Sequence, residues 1–305
     1  MDFIECIKNS KNILMEGALG ERLKREFHLS FDENVVMAGL VYTDDGRNAL
    51  KKLWSEYAEI AWNYNLPFLA TTPTRRTNRE RVGASVFDSG IIKANVDFLR
   101  QIQREQKGEM YVGGLIGCKG DAYTGIGALD RHESQMFHEW EIGLFAEERV
   151  DFLYAALMPN AEEAAGTALA IQKYKIPYII SFTIKRDGCL IDGTTISEAI
   201  QYIDSITDFS PVCYMTNCVH PTILYEALSQ PFNRNEFVYT RFSGIQSNAS
   251  PLSYEELDGA KDLKTSAPMD LAKQTMELRT INPLKIIGGC CGTDGSYLNE
   301  VARLM

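Results

Sequence analysis

The chain has 305 residues, of which 45% are hydrophobic and 24% charged, and a net charge of −10 from 31 Lys+Arg against 41 Asp+Glu. That balance excludes the basic footprint a nucleic-acid binder needs, and no apolar run approaches the roughly 18 residues of a transmembrane helix. The acidic start Met1-Asp2-Phe3-Ile4-Glu5 lacks the basic and apolar regions of a signal peptide, so a cytoplasmic protein is expected.

Short apolar runs alternate with longer amphipathic stretches. In chain order the runs are 13–16, 66–72, 110–117, 150–156, 178–183, 212–217, 237–241 and 284–289, which makes eight predicted strands. Between them, Leu50, Leu53, Trp54, Tyr57, Ile60 and Ala61 repeat at three-four spacing, as do segments within 91–106, 132–148, 161–174 and 197–206. Asn160 before Ala161, and Ser197 with Glu198, mark helix starts. Strands buried on both faces and separated by helices imply parallel βαβ units. Eight units of about 38 residues predict a single-domain α/β protein over residues 1–305, a (β/α)8 TIM barrel, with an open doubly wound sheet as the rival.

In a barrel, chemistry belongs at the C-terminal ends of the strands. Those predicted ends carry Glu16-Gly17, Thr71-Thr72, Gly117-Cys118, Ala155-Ala156, Ser181, Asn217-Cys218, Arg241 and Gly289-Cys290-Cys291. The chain has 7 cysteines, too sparse for a disulfide scaffold, so thiols, ligands or nucleophiles are expected. Adjacent Cys290 and Cys291 are poorly placed to bond each other, because a trans peptide sets their Cα atoms only about 3.8 Å apart. With Cys218 they offer three soft ligands suited to Zn²⁺ and leave a tetrahedral position open. The competing reading is two small buried residues in a glycine-rich turn. Cys6, Cys118, Cys189 and Cys213 have no comparable grouping. His132 and His138 are six apart and face different ways on a helix, and His220 reads as a surface histidine. Arg241, at the predicted end of the seventh strand, is a candidate for a carboxylate or sulfonate, against the reading of a structural arginine.

Four stretches together resemble the homocysteine S-methyltransferase family. They are Met15-Glu16-Gly17-Ala18-Leu19-Gly20-Glu21-Arg22-Leu23, Ser181-Phe182-Thr183 with Asp192-Gly193-Thr194, Asn217-Cys218 with Pro221, and Gly288-Gly289-Cys290-Cys291-Gly292-Thr293. The resemblance implies a zinc-dependent barrel that methylates a thiol, with Cys218, Cys290 and Cys291 as the metal ligands. It also implies substrate contacts from Glu16, Gly17, Thr72, Ser181, Asn217 and Gly289. The implied reaction carries a methyl group from an onium-type or corrinoid donor to a thiol, homocysteine by convention, which yields methionine.

Two departures bear on the acceptor. The family has Asp-Gly where this chain has Glu16-Gly17, and a Glu-Thr pair where it has Ala156-Leu157. Both family acids hold the homocysteine ammonium, so a different thiol, or a zinc-binding barrel impaired in catalysis, stands as the alternative. The expected partners are a small-molecule thiol and a methyl donor, not nucleic acid or membrane. The chain shows no corrinoid- or folate-binding module, which favours a small-molecule donor. A separate corrinoid protein and a homo-oligomer stay open.

Overall fold

A computed structural model of the chain describes residues 2–252 and 265–305. Eight parallel strands close on themselves: β1 (Ile13–Met15), β2 (Phe68–Thr71), β3 (Met110–Gly117), β4 (Phe152–Met158), β5 (Tyr178–Phe182), β6 (Cys213–Val219), β7 (Phe242–Ser247) and β8 (Ile286–Gly289). Ile13 and Leu14 of β1 lie opposite Ile286 and Ile287 of β8, so the sheet has no edge. That pairing rules out the open doubly wound sheet and establishes the (β/α)8 barrel. No helix among the described residues is long and apolar enough to cross a membrane.

Strand alternation sends side chains to two separate cores. Met15, Leu69, Tyr154, Ala156, Met215 and their neighbours fill the barrel, while the opposite faces pack against the surrounding helices. The N-terminal helix Phe3–Asn9 plugs the base of the barrel, where Phe3 stacks on Phe152 with ring centroids 4.5 Å apart. The outer helices carry the starts their sequences call for. Asn160 caps Ala161–Gln172, and Asp130 with Glu133 forms a capping box on Arg131–Glu147. Helix Ile196–Thr207 is capped two residues earlier than Ser197 suggests, by Thr195, whose reciprocal partner is Glu198.

One predicted strand is wrong. Residues 237–241 lie in helix Glu236–Arg241, started by the Asn235 side chain accepting from Val238 N. The strand follows it, at Phe242–Ser247. Alternating aromatic and β-branched residues mimic a strand in 237–241, yet Phe237 and Tyr239 are exposed and only Val238 is buried. The shift moves Arg241 from the mouth of the barrel to its base. There its guanidinium donates to both oxygens of the buried Asp204, at 2.7 and 2.8 Å, and to the Pro211 carbonyl. Arg241 is therefore structural and is no candidate for a substrate anion.

Candidate active site

The glycine-rich turn after β8 is fixed by its neighbours on both sides. Gly289 N donates to Glu16 O and Cys290 N to Ser247 O, which ties the turn to β1 and β7. Thr293 returns its hydroxyl to Cys290 O at 2.7 Å. Gly289 must be glycine because a Cβ there would lie 2.2 Å from the Thr293 hydroxyl. Cys218 reaches the same place from β6 through a break in strand register between Asn217 and Val219, where its backbone turns to φ 62°. A left-handed non-glycine residue costs about 1 kcal/mol or more and persists only where the surroundings enforce it. Here it aims a sulfur at the mouth.

The three sulfurs lie within 4.8 Å of one another, with Cys218 Sγ and Cys291 Sγ 3.6 Å apart. Cys218 is buried, Cys290 half-buried and Cys291 exposed, so the group opens toward solvent on one side. Hydrogen bonds from Cys290 and Cys291 hold the Cys218 thiol well below its ordinary pKa, while sharing those protons pushes both partners up. Asn248 Nδ2 adds a donor to Cys218 Sγ at 3.6 Å. Zn–S bonds of about 2.3 Å in a tetrahedron put sulfurs about 3.8 Å apart, so the three thiols have the chemistry and spacing of a metal site. Among the described residues they are the one group of three or more such ligands.

These cysteines line a cavity of about 220 Å³ at the mouth. Of the sequence-predicted substrate contacts, Glu16, Gly17, Asn217 and Gly289 line it, while Thr72 and Ser181 do not. Thr72 turns its hydroxyl to Thr74 and accepts from Leu115 N, and its neighbour Thr71 faces the cavity instead. Ser181 is fully buried and donates to Asn217 Oδ1 at 2.7 Å. Glu16 is fully engaged: Thr71 N and the Thr71 hydroxyl donate to Oε1, and Trp54 Nε1 donates to Oε2 at 2.7 Å. Burial raises its pKa to about 7 against the pull of those donors. Tyr154 donates to Gln246 Oε1 at 2.9 Å, which completes a neutral polar floor.

The position after Ala156 repeats the device seen at Cys218. The register of β4 breaks between Ala156 and Met158, and Leu157 there has φ 63°. The site position thus presents a leucine, 3% exposed, to the cavity. The other isolated candidates have structural explanations. Cys118 and Cys213 are buried thiols pushed up to about 12 by desolvation. His220 is not at the surface. It caps helix Pro221–Ser229, bonds Thr222 and Ser266, and burial lowers it to about 4.

Sequence reasoning missed two features of the mouth. The first is the loop between β3 and helix Arg131–Glu147, which brings Tyr123 to the cavity. Its ends are pinned by one buried carboxylate, Glu163, which accepts from Lys119 N at 2.7 Å and from Leu129 N at 3.3 Å. His138 sits between Glu163 and Glu141. Burial alone would lower its pKa, but the bonds to the two acids outweigh this and raise it to about 9. The second is Arg75, just past β2, which lines the cavity although Thr74-Arg75-Arg76-Thr77-Asn78 reads as an ordinary solvated loop.

A closed parallel barrel with three convergent cysteines and a substrate-sized cavity at its mouth defines a thiol-chemistry enzyme of the TIM-barrel class. The chain belongs to the homocysteine S-methyltransferase family, whose sequence profile matches residues 13–305. It is accordingly a methyltransferase acting on a thiol. No curated protein matches it. Among solved structures it resembles the Escherichia coli homocysteine methyltransferase MmuM. The oxidized form is 17% identical, with 98% of each chain covered and a TM-score of 0.76. The metallated form is 16% identical over the same coverage, with a TM-score of 0.74. At this identity the likeness establishes the shared fold.

Proposed function

We propose that the chain transfers a methyl group from an onium-type or corrinoid donor to a thiol seated beside Cys218, Cys290 and Cys291, with zinc as the metal those cysteines hold. The convergence of three sulfurs within 4.8 Å at the mouth carries this reading. That the similarly folded MmuM has a metallated form supports a metal in this chain too. When bound, zinc supplies the Lewis acidity that keeps a substrate sulfur as thiolate near neutral pH. The chain's own groups do the rest. The glycine-rich turn and the strained Cys218 fix the sulfurs, and the neutral floor of Tyr154, Asn217 and Gln246 orients the bound molecule. The apolar wall at Ala156 and Leu157 sheds water, so that thiol and methyl carbon meet in line. Three thiols that must stay reduced suit a reducing compartment such as the cytoplasm.

Homocysteine and the product methionine are the family's conventional pair. A second reading, a different thiol acceptor, is favoured by one observation: Ala156 and Leu157 place no acid at the strand-four end of the cavity. Assaying a panel of thiols against a panel of methyl donors with zinc-loaded protein tests both readings. Cys290→Ala is expected to lose stoichiometric zinc and methyl transfer while retaining the barrel's circular dichroism. Zinc that stays stoichiometric in that variant overturns the ligand set. A wild-type metal whose ligand shell, read by X-ray absorption, is indifferent to every thiol sinks the enzymatic reading and favours a catalytically impaired barrel.

A further inference from the structure

The charge around the cavity is arranged for an anion. Two carboxylates line it, and both are already engaged. Glu16 receives Trp54 and Thr71. Glu21 pairs with Arg25 at 2.6 Å and accepts from Gly292 N. The floor is neutral, and the wall at Ala156 and Leu157 is apolar. Against this stands Arg75, half-buried in the cavity wall, whose guanidinium meets no acceptor among the described residues. Its stem is held in place by close approach to the end of β3. A Cβ on Gly117 would lie 2.5 Å from Arg75 Cγ and 2.4 Å from its carbonyl oxygen, so glycine there makes room for this arginine.

Three other half-buried arginines among the described residues are paired with acids. Arg22 binds Glu26 and Glu56, Arg100 binds Asp151, and Arg241 binds Asp204. Arg279, two of whose nitrogens also lack partners, lies outside this cavity. Next to Arg75 the loop adds the positive charge of Arg76, which has Arg81 and the carboxylate of Asp121 for neighbours. Arg76 itself holds the Gly120 carbonyl at 3.1 Å. A planar fork of donors at the wall of a substrate cavity is the group best suited to a carboxylate. An ammonium placed near it meets like charge and no available acid.

We infer that Arg75 determines acceptor specificity by binding a carboxylate at the far end of the thiol substrate, so that the preferred acceptor is a mercaptocarboxylate and its amino group is dispensable. This rests on the thiol methyltransferase reading and narrows its substrate class.

The test uses zinc-loaded, full-length protein, wild type and the variants Arg75→Met and Arg75→Lys. Calorimetry measures the binding of 4-mercaptobutanoate, 3-mercapto-1-propanol and 3-aminopropane-1-thiol, and of pentanoate, which has no thiol. Wild type is expected to bind 4-mercaptobutanoate at least about tenfold more tightly than the neutral thiol and to bind the aminothiol least. Arg75→Met should erase that preference and abolish pentanoate binding, Arg75→Lys should restore part of both, and zinc should stay stoichiometric in all three proteins. Equal binding of charged and neutral thiols by wild type, or an undiminished preference in Arg75→Met, overturns the inference. So does a change confined to the KM of the methyl donor, which assigns the anion to the donor. Arg75-dependent binding of pentanoate without methyl transfer to any thiol would leave the anion site standing and remove the enzymatic reading, so the two fail separately.

Discussion

The two ends of the barrel treat the same residue type in opposite ways. At the base, Arg241 has both faces of its charge answered: Asp204 takes the fork, Pro211 O takes a further donor, and the Tyr214 ring lies 5.4 Å from its guanidinium carbon. At the mouth, Arg75 packs its stem against Gly117 and lines the cavity, and its guanidinium meets no acceptor among the described residues. The backbone follows the same division. Left-handed residues near the base, such as Arg149, Lys175 and Asp208, end helices and lead into strands, where such a residue is a routine cap. Those at the mouth, Leu157 and Cys218, interrupt strands and redirect side chains. One end closes its polar accounts internally and stabilises the barrel. The other leaves sulfurs and a cation for a ligand, and depends on the first to hold them in place.

That contrast can be broken from the base upward. The largest effect is expected for Asp204→Ala, which strands the half-buried Arg241 guanidinium and the buried Tyr214 hydroxyl and should cost about 3–5 kcal/mol in urea unfolding. A loss below about 1 kcal/mol would mean the base is not the anchor described here. Phe3→Ala removes the plug ring stacked on Phe152 and should cost about 3 kcal/mol, read in the same titration. Because Phe3 lies at the opposite end from the sulfurs, zinc stoichiometry should be unchanged. A loss of zinc in folded protein would show that the two ends are coupled more tightly than their geometry implies.

A smaller, pH-dependent effect is expected beside the mouth. His138 has a folded pKa of about 9, raised above the ordinary value of 6.5. Its stabilisation is therefore fully present below about pH 6.5 and lost as pH rises through 9. Nuclear magnetic resonance should place the His138 titration near pH 9, and amide exchange within residues 119–129 should quicken over the same range. A midpoint near 6.5 contradicts the arrangement. Smallest of all, Lys175→Gly relieves a left-handed residue (φ 57°) and should raise stability by up to about 1 kcal/mol.

Much of this architecture was legible because buried parallel strands write themselves as apolar runs, and seven of the eight expected runs coincide with strands. The seventh was misread for a physical reason. Phe242-Ser243-Gly244-Ile245-Gln246-Ser247 carries small and polar residues because it runs past the site: a Cβ on Gly244 would lie 2.7 Å from Ile286 O, and Gln246 lines the cavity. The helix before it carries the residues usually associated with strands. Cys218, Cys290 and Cys291 were legible because thiols are few and glycine-flanked cysteines fewer. Thr71 lines the cavity and Thr72 does not, a difference of facing that depends on register and that a single residue shift reverses. The breaks at Leu157 and Cys218 left no sign, since neither position is glycine. Arg75 was invisible because what distinguishes it is Gly117, 42 positions away in sequence and in contact only after folding.

The grip of Glu163 on Lys119 N and Leu129 N has a further consequence. One side chain from a neighbouring helix ties the two ends of an excursion together, which is the topological work of a cross-link. Here the cross-link is made of hydrogen bonds and is indifferent to oxidation and reduction. A protein with three unbridged cysteines at its mouth thereby shapes the loop beside them without a disulfide.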